Sequence, residues 1–231
     1  MSHKNMNINE LATMLGADFH RLTHMARRGE IPCQTVRGEF RFNTLHICSW
    51  LKQMIPGMGH PELAQIDTGM SLYRGTSFMP PMVAPLLETP SITTDLDART
   101  PSSLKRKLVN LANGTQRVYD NQALLGSLMC SSLPSGVGLL HPSQALPYAL
   151  AEPVIAVART QGSVMIDQHT HTDLFFLCAA QDESHHLHIM ARLCRLLQDQ
   201  DLIEQLTEAQ TPLDMKDAIT EMEDTLVACA V

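Results

Sequence analysis

A chain of 231 residues, 44% hydrophobic and 18% charged, is long enough for one large domain or two modest ones, and too apolar for disorder or a fibrous repeat. No apolar run approaches the roughly 18 to 20 residues that span a bilayer, and no hydrophobic segment follows the N-terminal Met-Ser-His-Lys-Asn, so a cytoplasmic chain without membrane insertion is expected. Six cysteines without a Cys-x-x-Cys pair argue against a zinc ribbon or a secreted disulfide framework. Charge is unevenly divided. Residues 1–55 carry an excess of Lys and Arg, while the whole chain has a net charge of −7, and a basic head on an acidic body points to a polyanion as the partner of the head.

In chain order, Asn7 and Glu10 form a capping box flanked by Met6 and Leu11, which predicts a helix running to Gly16. Asp18 caps a second helix with Phe19, Leu22 and Ala26 on its inner stripe, ending near Gly29 and Pro32. His20, His24 and Arg27 fall on the outer face, with Arg28 beside them. Gln34–Val36 and Phe40–Phe42 alternate like the strands of a hairpin around Arg37-Gly38-Glu39, and Asn43 caps a third helix closed by Ile47, Trp50 and Leu51. Ile8-Asn9-Glu10-Leu11-Ala12, Leu15-Gly16, Arg28-Gly29-Glu30-Ile31-Pro32, Val36 to Phe42 and Trp50-Leu51 together resemble the excisionase or MerR-like winged helix-turn-helix family over residues 6–53. That resemblance implies a DNA-binding domain at 1–54. It places His20, Arg21, His24, Arg27 and Arg28 in the major groove and Arg37 and Arg41 on phosphates.

Residues 55–85 are rich in proline, glycine and methionine, which predicts a linker with at most one helical turn at 61–66. Beyond it, Thr100-Pro101 starts a helix through Leu104, Leu108 and Leu111 that stops at Asn113-Gly114, and a second helix is predicted over Asn121 to Cys130. Val137–Leu140, Val154–Ala158 and Leu174–Ala179 read as short buried strands. Helices are expected at His186–Leu197, Asp201–Leu206 and Pro212–Leu226, the last behind a Thr211-x-x-Asp214 capping box. Helices mixed with short buried strands indicate an α/β layer fold.

Ser135-Gly136-Val137-Gly138-Leu139-Leu140-His141, Asp173-Leu174-Phe175-Phe176-Leu177, the helix of His186-Leu187 with Met190, Ala191, Leu193, Leu196 and Leu197, and Leu206-x-x-Ala209-x-x-Pro212 resemble the phosphotransferase enzyme IIA domain of the fructose, mannitol and nitrogen-regulatory type. The resemblance covers 86–231 and implies a mixed-sheet layered fold. It also implies that His141 accepts a phosphoryl group from a phosphocarrier protein of the HPr or NPr kind, without a cofactor. A neutral imidazole is a competent nucleophile at neutral pH. Phosphoryl transfer also needs a donor for the equatorial oxygens. His186 is the choice, with Arg192 a weaker one. In this sequence Leu140 precedes the histidine and Pro142-Ser143 follows it, where the family commonly has proline before and a small or basic pair after.

The combined expectation is a two-domain regulator in which phosphorylation of His141 changes DNA binding. Two alternatives stay open: a DNA-binding regulator whose IIA-like half is a non-transferring interaction or dimerisation module, and a sugar-specific IIA transport subunit. A homodimer is compatible with each. A metal-binding alternative draws on His169-x-His171 with His185, His186 and His188, a loose pattern with no firm third ligand.

Overall fold

The computed structural model of the chain describes residues 5–75, 82–166 and 170–228. Strand β1 (Asn5–Met6) leads into α1 (Ile8–Leu15), whose capping box is formed as the sequence predicts: Asn7 Oδ1 accepts from the Asn9 and Glu10 N–H groups, and Glu10 Oε2 accepts from Asn7 N. Asp18 caps α2 (Phe19–Arg27), and β2 (Gln34–Val36) pairs antiparallel with β3 (Glu39–Asn43), which also pairs with β1. Asn43 then caps α3 (Thr44–Met54).

The expected linker is folded in part. Residues His60–Tyr73 form α4, with Pro61 in its first turn, where a missing N–H costs nothing. This helix crosses α1 at van der Waals distance. A Cβ on Gly69 would lie 2.2 Å from the Gly16 nitrogen, and one on Gly16 would lie 2.2 Å from the Gln65 carbonyl oxygen. Gly16 also ends α1 in the left-handed region (φ 59°), so glycine is required there on two counts. Part of the expected linker, 76–81, lies outside the described residues.

The second half is built on a five-stranded mixed sheet of order β4-β7-β8-β6-β5, from β4 (Ile92–Leu96), β5 (Leu128–Ser132), β6 (Gly138–Pro142), β7 (Val154–Met165) and β8 (His171–Ala179). The central strands carry the near-continuous apolar runs expected of strands covered on both faces. Gly138 is needed because a Cβ there would meet the Phe175 ring on the neighbouring strand at 2.4 Å. The helix expected over Asn121 to Cys130 is corrected: α6 ends at Ser127, and Leu128–Ser132 instead pairs antiparallel with β6, Met129 opposite His141. Cross-strand pairing there outweighs the helical spacing of the leucines.

Alternate residues of each strand feed two apolar layers. Leu140, Ala156, Phe175 and Leu177 pack with α5 (Pro101–Asn113) and α6 (Asn121–Ser127). Leu139, Ile155, Val157, Phe176 and Cys178 face α7 (Glu183–Leu196), α8 (Gln200–Glu208) and α9 (Pro212–Ala228). This second layer runs without interruption into the core of the N-terminal half, through Leu63 and Met70 of α4 to Leu11, Phe42 and Leu51. The two halves therefore share one core.

A buried ion cluster fixes the joint. Asp67 of α4 accepts from Arg192 Nε at 2.6 Å and pairs with Arg195 at 3.1 Å and His188 Nε2 at 3.1 Å. Arg192 also reaches Glu223 of α9 at 3.0 Å, and the Glu223 carboxylate accepts from the backbone N–H groups of Met82, Val83 and Ala84. Burial pushes the Asp67 carboxyl up, but its hydrogen bonds to His188 and Arg192, with the Arg192 charge, outweigh that and hold it below the usual carboxylate value. Replacing Asp67 alone orphans these cations. Asp67→Asn is expected to lower the unfolding free energy by about 3–5 kcal/mol, read as a shifted denaturant midpoint. The exposed Asp201→Asn should move it by no more than about 0.5 kcal/mol.

Candidate functional site

Period-two alternation along β6 puts His141 on the same face as Leu139, the face that carries α7. Asp182 caps α7 by accepting from the His185 N–H, which sets His186 one turn into the helix, over that face. The two imidazoles meet with ring centroids 6.0 Å apart and planes at 38°. Neither is exposed to solvent: both are 0% accessible. The strand expected to stop at Leu140 runs instead from Gly138 to Pro142. His141 lies within the strand and is covered.

The protonation of His141 follows from its contacts. Nδ1 lies 3.3 Å from the Pro142 carbonyl, which can only accept, so Nδ1 carries the hydrogen and Nε2 the lone pair. Nε2 has no hydrogen-bond partner among the described residues, nor has either nitrogen of His186. Burial drives the His141 pKa down to about 4, the Pro142 hydrogen bond opposes this, and the Lys52 charge adds to the fall. Burial, then the charge of Lys52 and the His141 and His185 rings, place His186 well below the ordinary histidine value. Both rings are neutral at pH 7.

Lys52 is the group that sequence reasoning missed. It projects from α3, is 3% exposed, and donates from Nζ to the Ser143 carbonyl at 3.2 Å while pairing with Glu183 Oε2 at 2.5 Å. Glu183 in turn accepts from the Ala145 N–H at 2.7 Å. The ammonium thus ties the residue two places after His141 to the residue three places before His186. Cys48 and Cys178 also feel its charge, but burial pushes both thiols up to about 12, which leaves them un-ionised at neutral pH.

Arg192 is placed elsewhere. It shares a helical stripe with His188 and Arg195, four and three residues away, and that stripe faces α4, so its guanidinium is committed to Asp67 and Glu223 rather than to the His141 pair. His188 belongs to the same stripe. His171 is exposed on β8, His169 lies outside the described residues, and among the described residues no group of three His, Cys, Asp or Glu side chains is placed to hold a metal. No helix among the described residues is long and apolar enough to cross a membrane. In the N-terminal half, His20, Arg21, His24, Arg27 and Arg28 are exposed on or just past α2, and Arg37 (φ 52°) sits at the hairpin tip. Arg21, Arg28 and Arg41 form ion pairs with Glu62, Glu30 and Glu39.

Neutral buried histidines make stability depend on pH with a definite sign. Above about pH 6.5 the unfolded chain is neutral at these positions too and they contribute no slope. Between about 6.5 and 4 the unfolded chain takes up protons that the folded one excludes, so stability falls as pH falls. The thermal midpoint should drop from pH 7 to pH 5, and drop less in His141→Gln. Equal slopes in the two proteins would place the proton uptake at other groups.

Comparison with known proteins agrees with this architecture. The family model of the "Phosphoenolpyruvate-dependent sugar phosphotransferase system, EIIA 2" matches residues 91–222. Among solved structures, a Streptococcus pyogenes M1 GAS domain assigned to PTS IIA shares 17% identity over 63% of this chain and 99% of its own, with a TM-score of 0.52. IIA mannitol from Escherichia coli shares 16% over 58% of this chain and 98% of its own, at 0.50. The Escherichia coli complex of enzyme IIAMTL with phosphorylated enzyme IIBMTL matches at 16% identity, over 58% and 97%, with a TM-score of 0.51. At such identities the likeness is one of fold. No curated protein matches the chain. The family match spans more than half of the sequence and holds both His141 and His186: the chain belongs to the phosphotransferase-system EIIA type 2 family.

Proposed function

We propose that this chain is a IIA-type regulatory protein in which His141 accepts a phosphoryl group from a phosphocarrier protein and residues 1–54 bind DNA as a winged helix-turn-helix. The proposed units are 1–54, a connecting segment 55–85 carrying α4, and a phosphoacceptor unit 86–231. The observation that carries the first part is the His141–His186 pair, 6.0 Å apart, with a lone pair on His141 Nε2 and no partner for it among the described residues. Nε2 attacks the phosphorus, a new N–P bond forms as the donor's bond to phosphorus breaks, and the donor leaves with the electron pair. His186 serves as the hydrogen-bond donor to the phosphoryl oxygens. Incubation with phosphoenolpyruvate, enzyme I and a phosphocarrier should label the wild type and leave His141→Ala unlabelled. Absence of label from both would sink the phosphoacceptor reading.

The DNA-binding part is supported by the helix, helix, hairpin and helix order of α1, α2, β2–β3 and α3, by the exposed cations of α2, and by the cleft between α2 and the hairpin, which Arg27 and Arg41 line. Phosphate contacts release counterions, so affinity should fall linearly with log salt. Arg37→Ala, at the hairpin tip, should weaken all sequences alike and reduce the slope by about 1. Titration by fluorescence anisotropy at several salt concentrations measures both. The burial of His141 favours a second reading, a DNA-binding regulator whose IIA half is a non-transferring interaction module.

A further inference from the structure

A donor protein must bring its phosphorus to roughly 3–3.5 Å from the attacking nitrogen. With His141 and His186 both 0% exposed, the docked arrangement admits no such approach. Part of the cover comes from outside the family's own residues: the match begins at 91, and Lys52 reaches the site from α3. Its two contacts, Ser143 and Glu183, flank the two histidine-bearing segments, and its ammonium is itself buried. A cation at this place bridges the end of β6 to the start of α7, near enough for its charge to act on both imidazoles.

We infer that α3 and the phosphoryl donor compete for one face of the EIIA unit, and that the Lys52–Glu183 pair is the latch that keeps α3 on that face. The inference rests on the reading of His141 as the phosphoacceptor and adds what controls access to it. The partner for which the face is shaped is a protein bearing a phosphorylated side chain, and in its absence the face holds the chain's own helix. Phosphorylation and docking are then mutually exclusive. A phosphoryl group carries about −1.5 to −2 charges, and Lys52 already neutralises Glu183 beside it.

The test uses the full chain at pH 7 with two probes that report different things. Diethyl pyrocarbonate modifies exposed neutral imidazole, and His141 is neutral at pH 7 with or without Lys52, so its rate of modification, followed by peptide mass spectrometry, measures uncovering. Labelling from the phosphocarrier measures transfer. Lys52→Glu sets two carboxylates against each other. Glu183→Gln breaks the pair from the other side while keeping an oxygen for the Ala145 N–H, and guards against misfolding of the first variant, which circular dichroism checks. Both variants are expected to raise modification of His141 and its labelling by at least about tenfold, as for the loss of one partner of a buried pair. Unchanged modification in both variants overturns the inference. So does labelling that falls or stays level while the wild type labels. Faster modification with no label in any protein leaves the latch standing and overturns the phosphoacceptor reading instead.

Discussion

The structure depends on what α7 is asked to do. From His186 to Cys194 every residue of this helix is buried, because the sheet lies on one side and α4 on another. A helix in that position would ordinarily be apolar all round. This one carries His188, Arg192 and Arg195 along one stripe, and these polar groups are tolerable there only because Asp67 and Glu223 meet them. Asp67 comes from α4 and Glu223 from α9, so the stripe decides both how the N-terminal half is seated and how the last helix closes over it. The opposite stripe is then free to hold His186 against His141.

What could be read from the residues alone was local. The capping box of Asn7 and Glu10, the Asp18 and Asn43 caps, the Thr100-Pro101 start and the Thr211–Asp214 box each act within four residues and are all present. A short buried strand before His141 and the order of elements around it were equally legible, although β6 runs on through Pro142, and with them the pairing of His141 with a histidine at the head of α7. The misses share a different cause. Leu128–Ser132 is a strand because β6 lies beside it, and 60–73 is a helix in a proline-rich stretch because α1 and α7 cover it. Lys52 extends the apolar spacing of Ile47, Cys48, Leu51 and Ile55, and only the docking of α3 shows that its head is buried too. The engagement of Arg192 with Asp67 and Glu223 was hidden for the same reason, since its Asp67 partner stands 125 residues away in sequence.

The two ionic contacts between the halves differ in how they resist separation. Asp67 meets two guanidinium groups and the His188 imidazole at once, and the fully buried Arg192 is tied to Glu223 of α9 as well, so several contacts must part together before any of these groups reaches water. Lys52 and Glu183 form a single pair at the edge of the face, with Glu183 at 21% exposure. Removing one member of such a pair by mutation is costly because the other is stranded. Separating both into water is not, because each recovers the hydration it lost on docking, and that recovery offsets most of the Coulomb attraction. An apolar contact of the same size gains nothing comparable on exposure. A polar contact at the His141 site therefore holds the cover in register without making it permanent, while the Asp67 cluster keeps α4 on α7. The chemistry of His141 is set by its strand and its neighbour His186, but access to it is set by a lysine that the family's own residues do not supply.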